Sequence, residues 1–305
     1  MKPPPFTYHR PATVEEAARV LAELVERGDE AKVLAGGQSL VPILALRLTA
    51  FDHLVDLRRV EGIRGIERRD GHVRIGAATT QATIEHSPDV AAAVPLLARA
   101  TPFVGHFQIR NRGTIGGSLV HADPAAELPA VVVALDAELE ILSPGNGDGA
   151  GGGRARTVPA ADFFAGMWTT AVGEDELLTA ITFPVWTGRC GFAVEEIARR
   201  HGDFAIAGAC VGVALDDSGQ VSRCAIGLLG MGPTPVRASA AEAAALGATA
   251  ADVAPEELGR LAVEGLADLP ADVHASADYR RRVGAVVTAR ALRRALDEAL
   301  EAQGG

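Results

Sequence analysis

Two short segments carry the residue types that could do chemistry. Residues 34–40 read LAGGQSL and residues 113–119 read GTIGGSL, each with a glycine pair after an apolar or β-branched run and before a hydroxyl residue. Consecutive glycines let successive backbone N–H groups point into one concavity, and a helix start behind them adds partial positive charge, which suits a pyrophosphate. Ser39, Thr114 and Ser118 supply hydroxyl donors. Neither segment fits G-x-G-x-x-G or G-x-x-x-x-G-K-S/T, so the dinucleotide fingerprint and the P-loop are both excluded. Taken singly, each segment is more often a tight turn than a phosphate cradle. The pair points to one long ligand held at two places.

Other chemistries are poorly supplied. Cys190, Cys210 and Cys224 are odd in number and irregularly spaced, with no C-x-x-C pair, so this chain has no ligand set for zinc or an iron–sulfur cluster. They read as small buried side chains of a reducing compartment. The eight histidines show no H-E-x-x-H or similar spacing, and no metal site is expected. A formal charge of −10, with no basic run interleaved with aromatics, argues against nucleic acid or an anionic membrane as partner. No stretch approaches the roughly 20 apolar residues of a membrane span, and the start MKPPPFTYHRP lacks a leader's apolar core. A cytoplasmic location is expected.

The elements that must position the glycine segments are legible from periodicity. TVEEAARVLAELVERGDE predicts an amphipathic helix capped by Thr13, and AKVLAGG a short buried strand running into the first segment. Ser39 is expected to cap a helix over LVPILALRL, with Pro42 in its tolerated first turn. HLVDLRRV and HVRIGAATT read as strands, followed by a helix-rich stretch and then a glycine loop, a helix and a strand up to AELEIL. The tract SPGNGDGAGGG, residues 143–153, is expected to be a surface hairpin loop. After DELLTAITFPVW the texture changes to long β runs with a turn at Asp217–Gly219, then to alanine-rich helices. An α+β chain follows, divided as 1–57, 58–178 and 179–305.

VLAGGQSLVPILALRL, IRNRGTIGGSLVHADPAAELPAVVVALDAELEI, DELLTAITFP, EEIARRHGDFAIAGACV and HASADYRRRVGAVVTARAL together resemble the FAD-binding medium subunit of the molybdenum hydroxylases, the carbon monoxide dehydrogenase and xanthine dehydrogenase family. The matches keep their order and span nearly the whole chain. The resemblance implies a vanillyl-alcohol-oxidase (PCMH) type FAD-binding fold of two α/β subdomains, plus a C-terminal domain with a three-stranded antiparallel sheet and helices. FAD would lie extended between the first two, held through backbone N–H groups of Ala35, Gly36, Gly37, Gln38, Ser39 and Leu40 and of Thr114, Ile115, Gly116, Gly117 and Ser118. Glu127 matches the acidic position of the family's A-x-P-x-x-D/E segment and is expected to bond a hydroxyl of FAD. Asp123 is expected either beside it or as a helix cap before Pro124. Val172 matches a segment whose backbone meets the flavin. Val194 and Glu195 fall where many relatives carry an aromatic residue or a lysine facing the ring. Arg199, Arg200 and Asp203 read as a salt-linked turn.

The resemblance also implies a division of labour. A large subunit carries the molybdenum–molybdopterin cofactor, a small subunit carries two 2Fe–2S clusters, and this chain passes their electrons through FAD to an external acceptor within a dimer of heterotrimers. The chain itself then needs no nucleophile or general base, because the flavin supplies the redox chemistry. A self-contained FAD-dependent oxidoreductase would instead need a placed acid or base, for which Glu195 and His201 are the available side chains. A nucleotide-binding scaffold would need only the glycine segments.

Overall fold

A computed structural model describes residues 2–145 and 153–302. Strand β1 (Thr7–His9), helix α1 (Val14–Glu26), β2 (Ala31–Leu34), α2 (Leu40–Ala45) and β3 (His53–Asp56) build a parallel sheet in the order β1-β3-β2. The Thr13 hydroxyl accepts from the Glu16 N–H as expected, and α1 buries Ala17, Ala18, Leu21 and Leu24 on one face. Helix α2 is shorter than its sequence suggests. Ser39 has helical geometry and makes no side-chain cap bond, and Arg47 turns to φ 57°, so the helix stops at Ala45. Because the three strands run the same way, their carboxyl ends share one edge. Ligands of parallel sheets bind at such edges.

The second layer contains β4 (Ile66–Arg69), β5 (His72–Gly76), α3 (Gln81–Glu85), α4 (Pro88–Ala93), α5 (Pro95–Ala100), α6 (Phe107–Arg110), α7 (Ile115–His121), α8 (Glu127–Ala134), β6 (Glu138–Ser143), β7 (Arg154–Pro159), α9 (Ala160–Phe163), β8 (Phe164–Gly166), β9 (Thr169–Thr170) and β10 (Leu177–Pro184). Its antiparallel sheet runs β4-β5-β10-β6-β7. Strand β10 crosses the expected boundary after residue 178, because its pairing continues to Thr182 with β6 and to Pro184 with β5. Strands β6 and β7 pair as far as Ser143 and Arg154. Most of the expected hairpin loop between them, residues 146–152, lies outside the described residues. Helix α8 buries every one of its residues, as a helix apolar on all sides must.

The C-terminal layer consists of β11 (Arg189–Ile197), β12 (Ala207–Leu215), β13 (Val221–Leu229), β14 (Val236–Arg237), α10 (Ser239–Ala245), α11 (Pro255–Val263) and α12 (Ala277–Glu301). Three long antiparallel strands are present as expected, with the two-residue β14 added at one edge. The turn between β12 and β13 is tied by the Asp216 carboxylate, which accepts from the N–H groups of Ser218 and Gln220, with Gly219 at φ +79°. Strand β12 is buried throughout. Its sheet packs α12 on one face and α8 on the other, with glycines at the closest approaches. A Cβ on Gly191 would stand 1.9 Å from the Ala295 carbonyl oxygen of α12, and one on Gly227 would stand 2.3 Å from that of Ala130 in α8.

Candidate functional site

The first glycine segment leaves β2 at the carboxyl edge of the parallel sheet. Gly37 has φ +73°, where a side chain costs about 1–2 kcal/mol, and the Gln38 side-chain amide donates to the Gly36 carbonyl oxygen at 3.2 Å. Among the described residues, the N–H groups of Gly36, Gly37, Gln38 and Ser39 have no protein acceptor, so the turn presents a run of open donors. The Ser39 hydroxyl, not spent on a cap, is available beside them.

The second segment is built differently from the expectation of a donor loop. It is a helix start: Thr114 is the N-cap of α7, and its Oγ1 accepts from the Gly117 N–H at 3.0 Å. The Ile115 N–H donates to the Thr79 carbonyl oxygen, that of Gly116 to Ala77, and that of Ser118 to Thr114. These donors are spent within the protein. The glycines serve close packing instead, because a Cβ on Gly116 would stand 2.6 Å from that of Ala77. A Cβ on Gly117 would stand 3.2 Å from that of Ala35. The second segment therefore seats the first, leaving the Thr114 and Ser118 side chains as its polar contribution.

Where the two segments meet, a cavity of about 280 Å³ opens between Ala35, Gly36, Thr80 and Thr114. Arg58, Arg64, Asn111 and Arg112 complete its polar wall. These four were not singled out in the sequence, where arginine runs have no diagnostic spacing. The open Gly36 N–H and the guanidinium groups around one cavity match a pyrophosphate, and the absent Gly36 side chain lets the Arg112 backbone pack against the turn.

Beyond the cavity, Glu127 occupies the first position of α8 at 6% exposure. Burial raises its carboxyl to about 8, and the neighbouring Glu196 and Asp123 push in the same direction. Asp123 is not the cap of α8, whose N-cap is Ala126. Its Oδ1 accepts from the Ala125 N–H at 2.9 Å in a turn around Pro124. Val172 lies half-buried against the large core, its N–H on the Thr170 hydroxyl, just after a hairpin pinned to α7 by the Trp168 N–H on the Ala122 carbonyl. Glu195 does not face this region. It is ion-paired with Arg294 of α12, and strand alternation directs Val194 and Glu196 to the α8 side. Burial pushes Glu196 to about 7, and it is Glu196 that reaches Glu127 electrostatically. Arg199 and Asp203 form the expected salt-linked turn at 3.7 Å. The ring of neighbouring His201 lies 5.7 Å from that of His106, tilted by 57°.

Comparison with known proteins gives the family. Residues 4–186 match the model of the FAD binding domain in molybdopterin dehydrogenase, and residues 192–295 that of the CO dehydrogenase flavoprotein C-terminal domain. The 6-hydroxypseudooxynicotine dehydrogenase complex subunit alpha of Paenarthrobacter nicotinovorans is 40% identical over 98% of this chain and 97% of its own length. The carbon monoxide dehydrogenase medium chain of Hydrogenophaga pseudoflava is 36% identical over 96% of this chain and 97% of its own. A solved structure of carbon monoxide dehydrogenase from that organism superposes with a TM-score of 0.89 at 37% identity, covering 98% of this chain and 99% of the matched one. The chain belongs to the family of FAD-binding medium subunits of molybdenum-containing dehydrogenases, the oxidoreductase flavoproteins that include the carbon monoxide dehydrogenase medium chains.

Proposed function

We propose that this chain is the electron-transfer flavoprotein of a molybdenum hydroxylase, accepting electrons from the 2Fe–2S clusters of a small subunit and delivering them to an external acceptor. The large partner would hold the molybdenum–molybdopterin cofactor, in a cytoplasmic dimer of heterotrimers. The observation that carries this reading is the turn of open N–H groups that starts at Gly36, on the wall of a cavity it shares with Thr114, Arg58, Arg64 and Arg112. FAD, when bound, supplies the one- and two-electron chemistry. The protein's part is to hold it: Ala35–Leu40 through backbone donors, Thr114 and Ser118 through hydroxyls, the arginines through charge.

Glu127, with Asp123 beside it, would hold a hydroxyl-bearing part of the cofactor as a neutral acid able to donate. Val172 would meet the flavin through its backbone. The partition into 1–57, 58–178 and 179–305 belongs to the same proposal, with the second unit carried to the end of β10.

Native mass spectrometry of the complex from its own host tests the proposal. Masses for this chain with a large and a small partner, one FAD per copy, molybdenum cofactor and iron–sulfur clusters are expected. A flavin-loaded homo-oligomer that turns over substrate by itself would replace the proposal with a self-contained flavoenzyme.

A further inference from the structure

A second cavity of about 300 Å³ adjoins the first along the carboxyl edge of the parallel sheet, lined by Tyr8, Arg10, Asp56, Arg58 and Arg59. The first cavity opens between the ends of β2 and β3, the second between the ends of β1 and β3, and Arg58 belongs to both. The geometry points to a separate site for a small phosphate-bearing anion in this second cavity, beside the FAD cleft and independent of it.

The wall is built for an anion. Asp56 is 3% exposed at the end of β3, and both of its oxygens are engaged. Oδ1 accepts from the Arg58 N–H at 2.7 Å and Oδ2 accepts from the Tyr8 hydroxyl. The first bond closes a 3-10 turn, Leu57–Arg59, that projects two arginines from adjacent positions. The second ties β1 to β3, so Arg10 leaves the neighbouring strand beside them.

Among the described residues, the guanidinium groups of Arg10, Arg58 and Arg59 form no ion pair and no hydrogen bond, although a buried carboxylate, Asp56, lies between them. Three positive charges against one buried, fully bonded carboxylate leave an excess of positive charge in a chain whose formal charge is −10. Arginine is the side chain whose planar donor fork matches phosphate oxygens.

The inference assumes only that FAD occupies the first cavity, and flavin content is measured separately. Inorganic phosphate is titrated calorimetrically into the flavin-loaded complex in a low-salt, phosphate-free buffer, alongside complexes carrying R10A and R59A. Both arginines are exposed and lie outside the first cavity, so folding and flavin content should match wild type. One phosphate per chain is expected to bind the loaded complex, with about tenfold weaker binding in each variant, as befits loss of one charge-assisted contact. Binding only to flavin-free protein, abolished by FAD, would make the cavity part of the flavin site and overturn the inference. So would absence of binding, or binding unchanged in both variants. A complex that retains no flavin fails the FAD reading before phosphate is added.

Discussion

Gly36 and Arg112 lie so close that a Cβ on the glycine would stand 2.3 Å from the arginine's carbonyl oxygen. That contact joins the first glycine turn to the segment leading into α7, and it involves backbone on both sides, so no flexible side chain can yield. Gly36→Ala is expected to cost about 1–3 kcal/mol by overpacking and to lower FAD content at least about tenfold. Flavin absorbance per chain and a urea unfolding curve check both parts. Normal FAD content would remove Gly36 from the site.

The two glycine segments should fail differently. Gly37→Val strains a φ of +73°, whereas Gly117→Val drives a branched carbon against the Thr114 hydroxyl that caps α7, 2.9 Å from its Cβ. Both variants are expected to lose FAD. Both should lower the thermal midpoint of the flavin-free chain, Gly37→Val through its positive φ and the Leu34 and Val41 side chains 3.2 Å from its Cβ, and Gly117→Val further by breaking the α7 cap.

Glu127 makes the flavin-free chain lose stability with rising pH. An unfolded glutamate titrates near 4.5 and the folded one at about 8, so between these values the fold keeps a proton that the unfolded chain has released. Stability then falls by up to about 1.4 kcal/mol per pH unit over that window, and below it the penalty is absent. Glu127→Gln removes the ionisable group and should flatten the profile between pH 5 and 8 by this contribution, with Glu196 adding a similar slope up to about 7. Denaturant unfolding at several pH values reads the difference. Parallel curves for wild type and variant would place Glu127 in solvent.

Glu176 acts in the opposite sense. Its carboxylate accepts from Arg156 and from the Ser143 hydroxyl, each at 2.6 Å, and from the Gly173 N–H at 2.9 Å, which together hold it down at about 2. The stabilisation is present above the ordinary value of 4.5 and lost as pH falls toward 2. After solvent screening it amounts to about 1 kcal/mol. Glu176→Gln should therefore be less stable than wild type at pH 7 and equal to it near pH 2, as followed by circular dichroism.

Arg280, 4% exposed on α12, donates to the carbonyl oxygens of Ile206 and Gly230 and to Asp272 at 2.6 Å. The Gly230 N–H in turn holds the Pro124 carbonyl oxygen at 2.8 Å, just before α8. Arg280→Ala strands the buried Ile206 and Gly230 carbonyl oxygens and should cost about 3 kcal/mol in urea unfolding. A cost below about 1 kcal/mol would show that water replaces the guanidinium freely.

The residue pattern alone determined the α+β class, the Thr13-capped helix and the hairpin at Asp217–Gly219, because each rests on local spacing, and the family entered through the resemblance of ordered segments along the chain. It also located the two glycine segments. Tertiary structure decided what each one does. Whether a backbone N–H is open or spent depends on which acceptor arrives, and Ala77 and Thr79 take donors of the second segment, while among the described residues no acceptor takes the N–H groups of Gly36 to Ser39. The same holds for the acids. Glu195 and Glu196 are adjacent in sequence and equivalent in type, yet strand alternation sends one to Arg294 and the other toward Glu127. The arginines of the two cavities come from the ends of β1 and β3, the approach to β4 and the approach to α7, a convergence that exists only once β3 is inserted between β1 and β2.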